Sequence, residues 1–245
     1  MDERREHRSL EELGLGRAPC DHPLGYPGVW PAGSGLLAGD LLLPLDRLTH
    51  PGRSPVLAVG SNASPGQLRH KMAVLGITSP IPMVRTRVSG VGVGVSAHVS
   101  RLGYMSASPV DSPGAARELF VIWLDDEQLA AVDATEPNYD RVVLPVPRFR
   151  VGLESGETLD EVFSYVNRHG VLHNGRGAPR SHPGQRPLIT ELLDASPALR
   201  RLFGTTPEEF VARARSDAAL CERGTRLLAE ERRVTRSGLE HLRTA

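Results

Sequence analysis

Apolar and polar positions begin a sustained alternation at Pro55. Period-two patterning places every second side chain on one face of a sheet. It predicts strands at 55–59, 82–98, 102–109, 117–124, 141–152 and 158–167. Val88–Val99 alternates valine mostly with glycine, serine and alanine, as a strand with close neighbours does. Two short segments, 65–75 and 126–134, switch to helical spacing. From about 186 the pattern is helical, with breaks near Pro197 and Pro207. Residues 1–53 differ: a charged stretch that reads as a helix passes into APCDHPLGYPGVWPAGSG, rich in Pro and Gly. The pattern therefore predicts an N-terminal extension over 1–53, draped over the rest or partly disordered, a main domain over 54–195 and a helical tail over 196–245.

The helix starts are legible. Ser64-Pro65-Gly66-Gln67 offers an N-cap serine, proline at the first helical position and glutamine at the third, a capping box. Leu68, Met72 and Leu75 then form one apolar stripe. Thr206-Pro207-Glu208-Glu209 repeats the same start. Asp125 is placed to cap the helix at 126–134, with Leu129 and Val132 inward.

Composition narrows the function. With 29 basic and 29 acidic residues, nothing marks out a nucleic-acid or anionic-membrane partner. Apolar runs such as Leu41–Leu43 are too short to span a bilayer, and the charged N-terminus is unlike a signal peptide. Cys20 and Cys221 are the only cysteines, without metal-ligand spacing, which fits a reducing, cytoplasmic setting. Lys71 is the single lysine among abundant arginines.

Two segments carry candidate chemistry. In VLAVGSNASPGQL (Val56–Leu68), Gly60-Ser61-Asn62 forms the turn between strand and helix. Backbone N–H groups there suit a carboxylate or amide oxygen, although a plain strand-to-helix connection reads the same way. A phosphate-binding loop is excluded, because Lys71 lies well inside the helix instead of closing the turn. The second segment is LDDEQLAAVDATEPNYDRV (Leu124–Val142). Pro137 stops its helix and pushes Glu136 toward an extended conformation. The negative end of the helix dipole works against a carboxylate there, which suits a general acid/base, the alternative being a solvated turn residue. His169, His173 and His182 lie in a Gly/Pro-rich stretch without the spacing of a metal site, which reads as a loop over a pocket. Ser61 with His98 or His182 lacks the G-x-S-x-G elbow of a serine hydrolase.

Together these segments resemble the gamma-glutamylcyclotransferase-like family. Its domain typically opens with a strand ending in Tyr-Gly-Ser-Asn, and later presents a catalytic glutamate after a short helix, with a tyrosine a few residues on. Here the first element is Val59-Gly60-Ser61-Asn62 and the second is Val132–Glu136 followed by Tyr139. FSYVNRHG (Phe163–Gly170) is similar to the strand bearing another pocket tyrosine, here Tyr165. Val59 replaces the loop tyrosine, and His182–Arg186 lacks a further tyrosine that family members often carry, with His182 or Gln185 in its place. The resemblance implies an α+β fold, a small mostly antiparallel β-barrel with short helices. It also implies release of 5-oxoproline and a free amine from a γ-glutamyl amine, amino acid or peptide. Glu136 is then the acid/base, and Gly60, Ser61, Asn62, Val59, Tyr139 and Tyr165 surround the substrate. The reaction needs no cofactor and no metal. The implied partner is a small γ-glutamyl substrate, the protein itself being a monomer or homodimer. A related amide hydrolase or acyltransferase, or a non-catalytic metabolite-binding protein, remains open on the same residues.

Overall fold

The structure is a computed structural model and describes residues 8–45, 48, 51–146 and 148–243. Nine strands among these residues share one sheet: β1 (Arg8–Ser9), β2 (Gly35–Ala38), β3 (Leu41–Pro44), β4 (Ser54–Ala58), β5 (Ile81–Val95), β6 (Ala107–Leu124), β7 (Tyr139–Val143), β8 (Val151–Leu153) and β9 (Phe163–Asn167). Their order is β1-β3-β2-β5-β6-β4-β9-β7, with β8 on β5. Pairing is antiparallel except between β4 and β9.

The fold is thus α+β with a large, mostly antiparallel sheet, but the implied barrel is corrected: the described strands form an open path. The edge of β5 that β6 leaves free is shared by two strands. β2 pairs with it over Ile81–Met83 and β8 over Thr86–Val88.

The strand expected at 117–124 is the second part of β6, whereas of the one expected at 102–109 only Ala107–Pro109 enters β6 and 102–106 is turn and irregular chain. Between the two parts of β6 the register slips, so that Ser112–Ala115 bulge out opposite Gly90. Gly90 has φ +84°, and a Cβ there would lie 2.7 Å from the Arg148 carbonyl oxygen. The stretch 141–152 divides into β7 and β8, and 158–167 contracts to β9.

Six α-helices are described: α1 (Pro65–Leu75), α2 (Asp126–Ala134), α3 (Gln185–Ala195), α4 (Pro197–Phe203), α5 (Pro207–Ser216) and α6 (Ala218–Glu230). None is long and apolar enough to cross a membrane. After α6 the chain returns, and β11 (Val234–Thr235) pairs with β10 (Val171–Leu172). The charged start is not helical where it is described. Arg8–Ser9 pairs with β3 and a turn follows, while residues 1–7 lie outside the described part.

Alternation along β4 divides the core. Val56 and Ala58 pack with Leu68 and Met72 of α1 and with Leu129 and Val132 of α2. Leu57 and Val59 join Val84, Val88 and Val121 in a second cluster. The last four helices bury a third cluster against Val95 and Val99. Leu75 is 57% exposed, so the α1 stripe is narrower than its spacing predicts.

Reciprocal capping boxes form at Asp125/Gln128 and Thr206/Glu209. The one expected at Ser64 does not form. Instead the Gln67 side-chain oxygen accepts from the Cys20 N–H at 3.1 Å, and the Ser64 hydroxyl is buried without a partner. A Cβ on Gly66 would lie 2.7 Å from the carbonyl oxygens of Leu15, Gly16 and Arg17. SPGQ is therefore where the extension docks, and docking claims the glutamine side chain that a free helix would use for its own cap.

Candidate active site

Beyond β4 the backbone makes a short 3-10 turn, Ser61–Ala63, before α1 begins. This aims Asn62 across the end of α2. Asn62 Nδ2 donates to Glu136 Oε1 at 3.1 Å. From α1, Lys71 Nζ donates to Asn62 Oδ1 at 2.8 Å and to the same Glu136 oxygen at 3.1 Å. Three residues from two distant segments thus close a ring of charge-assisted bonds. Glu136 is held by the turn after α2, where its own N–H donates to the Asp133 carbonyl and its carbonyl accepts from Tyr139 N–H.

The ring is largely shielded. Asn62 is 9% exposed, Lys71 8%, and the Glu136 side chain 18%. Both bonds to the carboxylate fall on Oε1, and Oε2 takes none from a described residue. That second oxygen is the one available to exchange a proton. The Lys71 ammonium lies 3.1 Å from this carboxylate, a partner that the helix-end argument did not supply.

All four tyrosines of the chain gather around this ring. Tyr139 donates its hydroxyl to the Ala107 carbonyl at 2.9 Å, while the Ala107 N–H donates to the Tyr26 hydroxyl at 2.7 Å. Tyr26 stacks on Tyr104, with ring centroids 4.5 Å apart. Tyr26 also presses against the loop, where a Cβ on Gly60 would lie 2.5 Å from its hydroxyl oxygen. The extension thus brings a phenol to the loop that follows Val59. Tyr165 is turned aside, donating to Asp133 Oδ1 at 2.7 Å, the atom that also takes Arg141 Nε. Burial, ahead of every other cause, pushes all four phenols above the ordinary tyrosine range, so each stays a neutral donor.

Of the residues singled out in the sequence, the structure joins Asn62 directly to Glu136 and sets Gly60, Ser61 and Tyr139 beside them. It does not bring in Val59, which packs in the other core cluster. Nor does it gather the three histidines. His169 Nε2 meets Asn138 Oδ1 at 2.9 Å, His173 Nε2 meets the Arg232 carbonyl, and His182 Nε2 meets the Met105 carbonyl at 3.1 Å. Gln185 grips Met105 with both ends of its amide, accepting from the N–H at 2.7 Å and donating to the carbonyl at 3.0 Å. His182 and Gln185 thus hold the backbone next to Tyr104.

Beneath Tyr139 lies His98, in contact with Ser96 Oγ and stacked on His169 at 5.2 Å. Burial first, then the neighbouring His169, pushes its imidazole down to about 3, so it is neutral.

Sequence reasoning missed Lys71, Tyr26 and Tyr104. For Lys71 a signal existed: it is the only lysine among 29 basic residues. A compact ammonium fits a closed site that the broader, planar guanidinium does not. For the two tyrosines there was none, because both enter the site through long-range packing.

No family model and no curated protein matches the chain. Solved structures similar to it include a solution structure from Arabidopsis thaliana at 20% identity, covering 48% of this chain and 70% of that one, with a TM-score of 0.36. A gamma-glutamyl cyclotransferase is similar at 15% identity over 47% of this chain and 66% of its own, TM-score 0.34. An uncharacterized human protein is similar at 14% identity over 73% and 87%, TM-score 0.36. Likenesses this distant carry nothing about chemistry.

Proposed function

We propose that the protein is a cofactor-independent cyclotransferase acting on γ-glutamyl amides. The observation that carries the reading is the Asn62–Glu136 bond, which joins the polar turn after β4 to the carboxylate after α2. The turn N–H groups at Gly60–Asn62 receive the glutamyl part of the substrate. Glu136 Oε2 accepts a proton from the substrate α-amine, whose nitrogen attacks the γ-carbonyl carbon of the same molecule. The tetrahedral intermediate then collapses as the C–N bond to the leaving amine breaks. Glu136 returns its proton to that amine, leaving 5-oxoproline. No protein nucleophile is consumed, because attack within one molecule supplies most of the advantage through orientation. Lys71 and Asn62 fix the carboxylate so that its free oxygen faces the amine. Neutral phenols of Tyr26 and Tyr139 add polar, non-ionic groups near the carboxylate.

The test is a panel of γ-glutamyl amines, amino acids and peptides, with product analysis. The expected product is 5-oxoproline, with Glu136→Gln slower by roughly 10²–10⁴-fold, the span of general acid/base catalysis. Free glutamate would identify an amide hydrolase instead, and tight binding without release a metabolite-binding protein. Unchanged 5-oxoproline release in Glu136→Gln would remove the glutamate from the mechanism.

A further inference from the structure

The segment that delivers Tyr26 is fastened to α1 at its other end, and there three side chains with metal-ligand chemistry meet. Cys20 Sγ, an Asp21 carboxylate oxygen and a His70 ring nitrogen all lie within 4.8 Å of one another. His70 Nδ1 and Asp21 Oδ2 are 3.6 Å apart, too long for a hydrogen bond. That spacing instead matches a tetrahedral edge. Ligand distances of about 2.0–2.3 Å around zinc put donors about 3.3–3.6 Å from each other.

The backbone holding these groups is fixed from several directions. The Cys20 N–H donates to Gln67 Oε1, and its carbonyl accepts from Arg215 Nη1 at 2.8 Å. Asp21 N–H closes a turn onto the Ala18 carbonyl. One residue before His70 on α1, Arg69 donates to the Gly16 carbonyl at 2.7 Å, fastening the same segment again. The three donors therefore sit on anchored backbone, already within 4.8 Å of one another.

We propose that Cys20, Asp21 and His70 form a binding site for a zinc-type divalent transition metal. One thiolate, one imidazole and one carboxylate select such ions over magnesium or calcium, which favour all-oxygen cages. Three protein ligands leave a fourth position for solvent or an exogenous ligand. The ligands are 50 residues apart in the chain, so no spacing rule reveals them. A bound ion clamps the extension that carries Tyr26 to the helix that carries Lys71, without touching Glu136.

The test is titration of the metal-free full-length protein with Co²⁺. One equivalent is expected to produce a thiolate-to-cobalt charge-transfer band in the near ultraviolet and visible bands of tetrahedral intensity, displaced by Zn²⁺. Cys20→Ser is expected to lose the charge-transfer band, whereas Cys221→Ser keeps it. His70→Gln, at a half-buried position that does not threaten the fold, is expected to weaken binding by more than the roughly 10–100-fold that loss of an outer-sphere partner costs. Zn²⁺ is expected to raise the melting temperature of the wild-type protein and not of Cys20→Ser. No band in the wild-type protein, or an equal band in Cys20→Ser, overturns the proposal. Neither outcome bears on γ-glutamyl turnover, which Glu136 governs.

Discussion

Replacing Lys71 by methionine removes the charge that faces Glu136 while keeping much of the side chain's length and bulk. The ammonium and carboxylate are 3.1 Å apart, with side chains only 7% and 18% exposed. At an effective dielectric of about 20, their direct attraction is about 5 kcal/mol, against which both desolvation costs must be set. Breaking a buried pair by removing one partner costs about 3–5 kcal/mol, and the partial exposure of Glu136 argues for the lower end. Lys71→Met is therefore expected to lose about 3 kcal/mol and Glu136→Gln about 2 kcal/mol. The double variant is expected to lose little more than Lys71→Met alone, giving a coupling of about 2 kcal/mol. Urea unfolding reads this directly. At a slope of about 2.5 kcal/mol/M, Lys71→Met lowers the midpoint by about 1.2 M with the slope unchanged. Coupling below about 0.5 kcal/mol is the value of an exposed pair. It would refute the claim that the ring is shielded from water, and with it the fixing role given to Lys71.

Gly66→Ala raises helix propensity by about 1 kcal/mol, yet the new methyl meets three carbonyls of the docked extension, so net destabilisation of about 1–3 kcal/mol is expected. A higher melting temperature would show that the extension does not dock there. Tyr26→Phe leaves the buried Ala107 N–H without its acceptor, an expected loss of about 1–2 kcal/mol in chemical unfolding. No change would mean that another group replaces the phenol. His98 stays neutral in the folded protein down to about pH 3, whereas the unfolded chain takes up that proton near 6.5. Its contribution is complete above pH 6.5 and is lost as the pH falls, by about 2–3 kcal/mol at pH 4.5. His98→Gln is expected to flatten that dependence in unfolding curves at pH 7 and 4.5. A residual slope comes from His169 and His182, both of which burial also lowers. An unaltered slope would show that His98 is not the group responsible.

Local rules carried much of the fold. Alternation located β4 and β5, and cap residues placed the starts of α2 and α5, because these features depend on neighbours within a few positions. Candidate chemistry was legible to the same extent. Asn62 stood out as part of a turn and Glu136 as a carboxylate trapped before a proline. The failures have a common cause. Ser64 and Gln67 have the residue types of a capping box, but the Gln67 side-chain oxygen is taken by the Cys20 N–H, 47 residues earlier in the chain, and the Ser64 hydroxyl is left without a partner. The Val59 position suggested a missing phenol, while Tyr26 approached the loop from the same extension. Lys71 read as an ordinary helix residue because only its height on α1 relative to α2 aims it at Glu136.

By itself, then, the sequence determined the period of each element, the points where helices start, and two segments with suitable chemistry. Tertiary structure alone decided that β2 from the extension and β8 share the edge of β5 that β6 leaves free. It alone decided that the lone lysine meets this carboxylate and that Tyr26, from the extension, reaches the Gly60 loop beside it. Local periodicity fixes which face a side chain lies on, whereas its partner depends on how distant elements pack, and that geometry leaves no local trace in the chain.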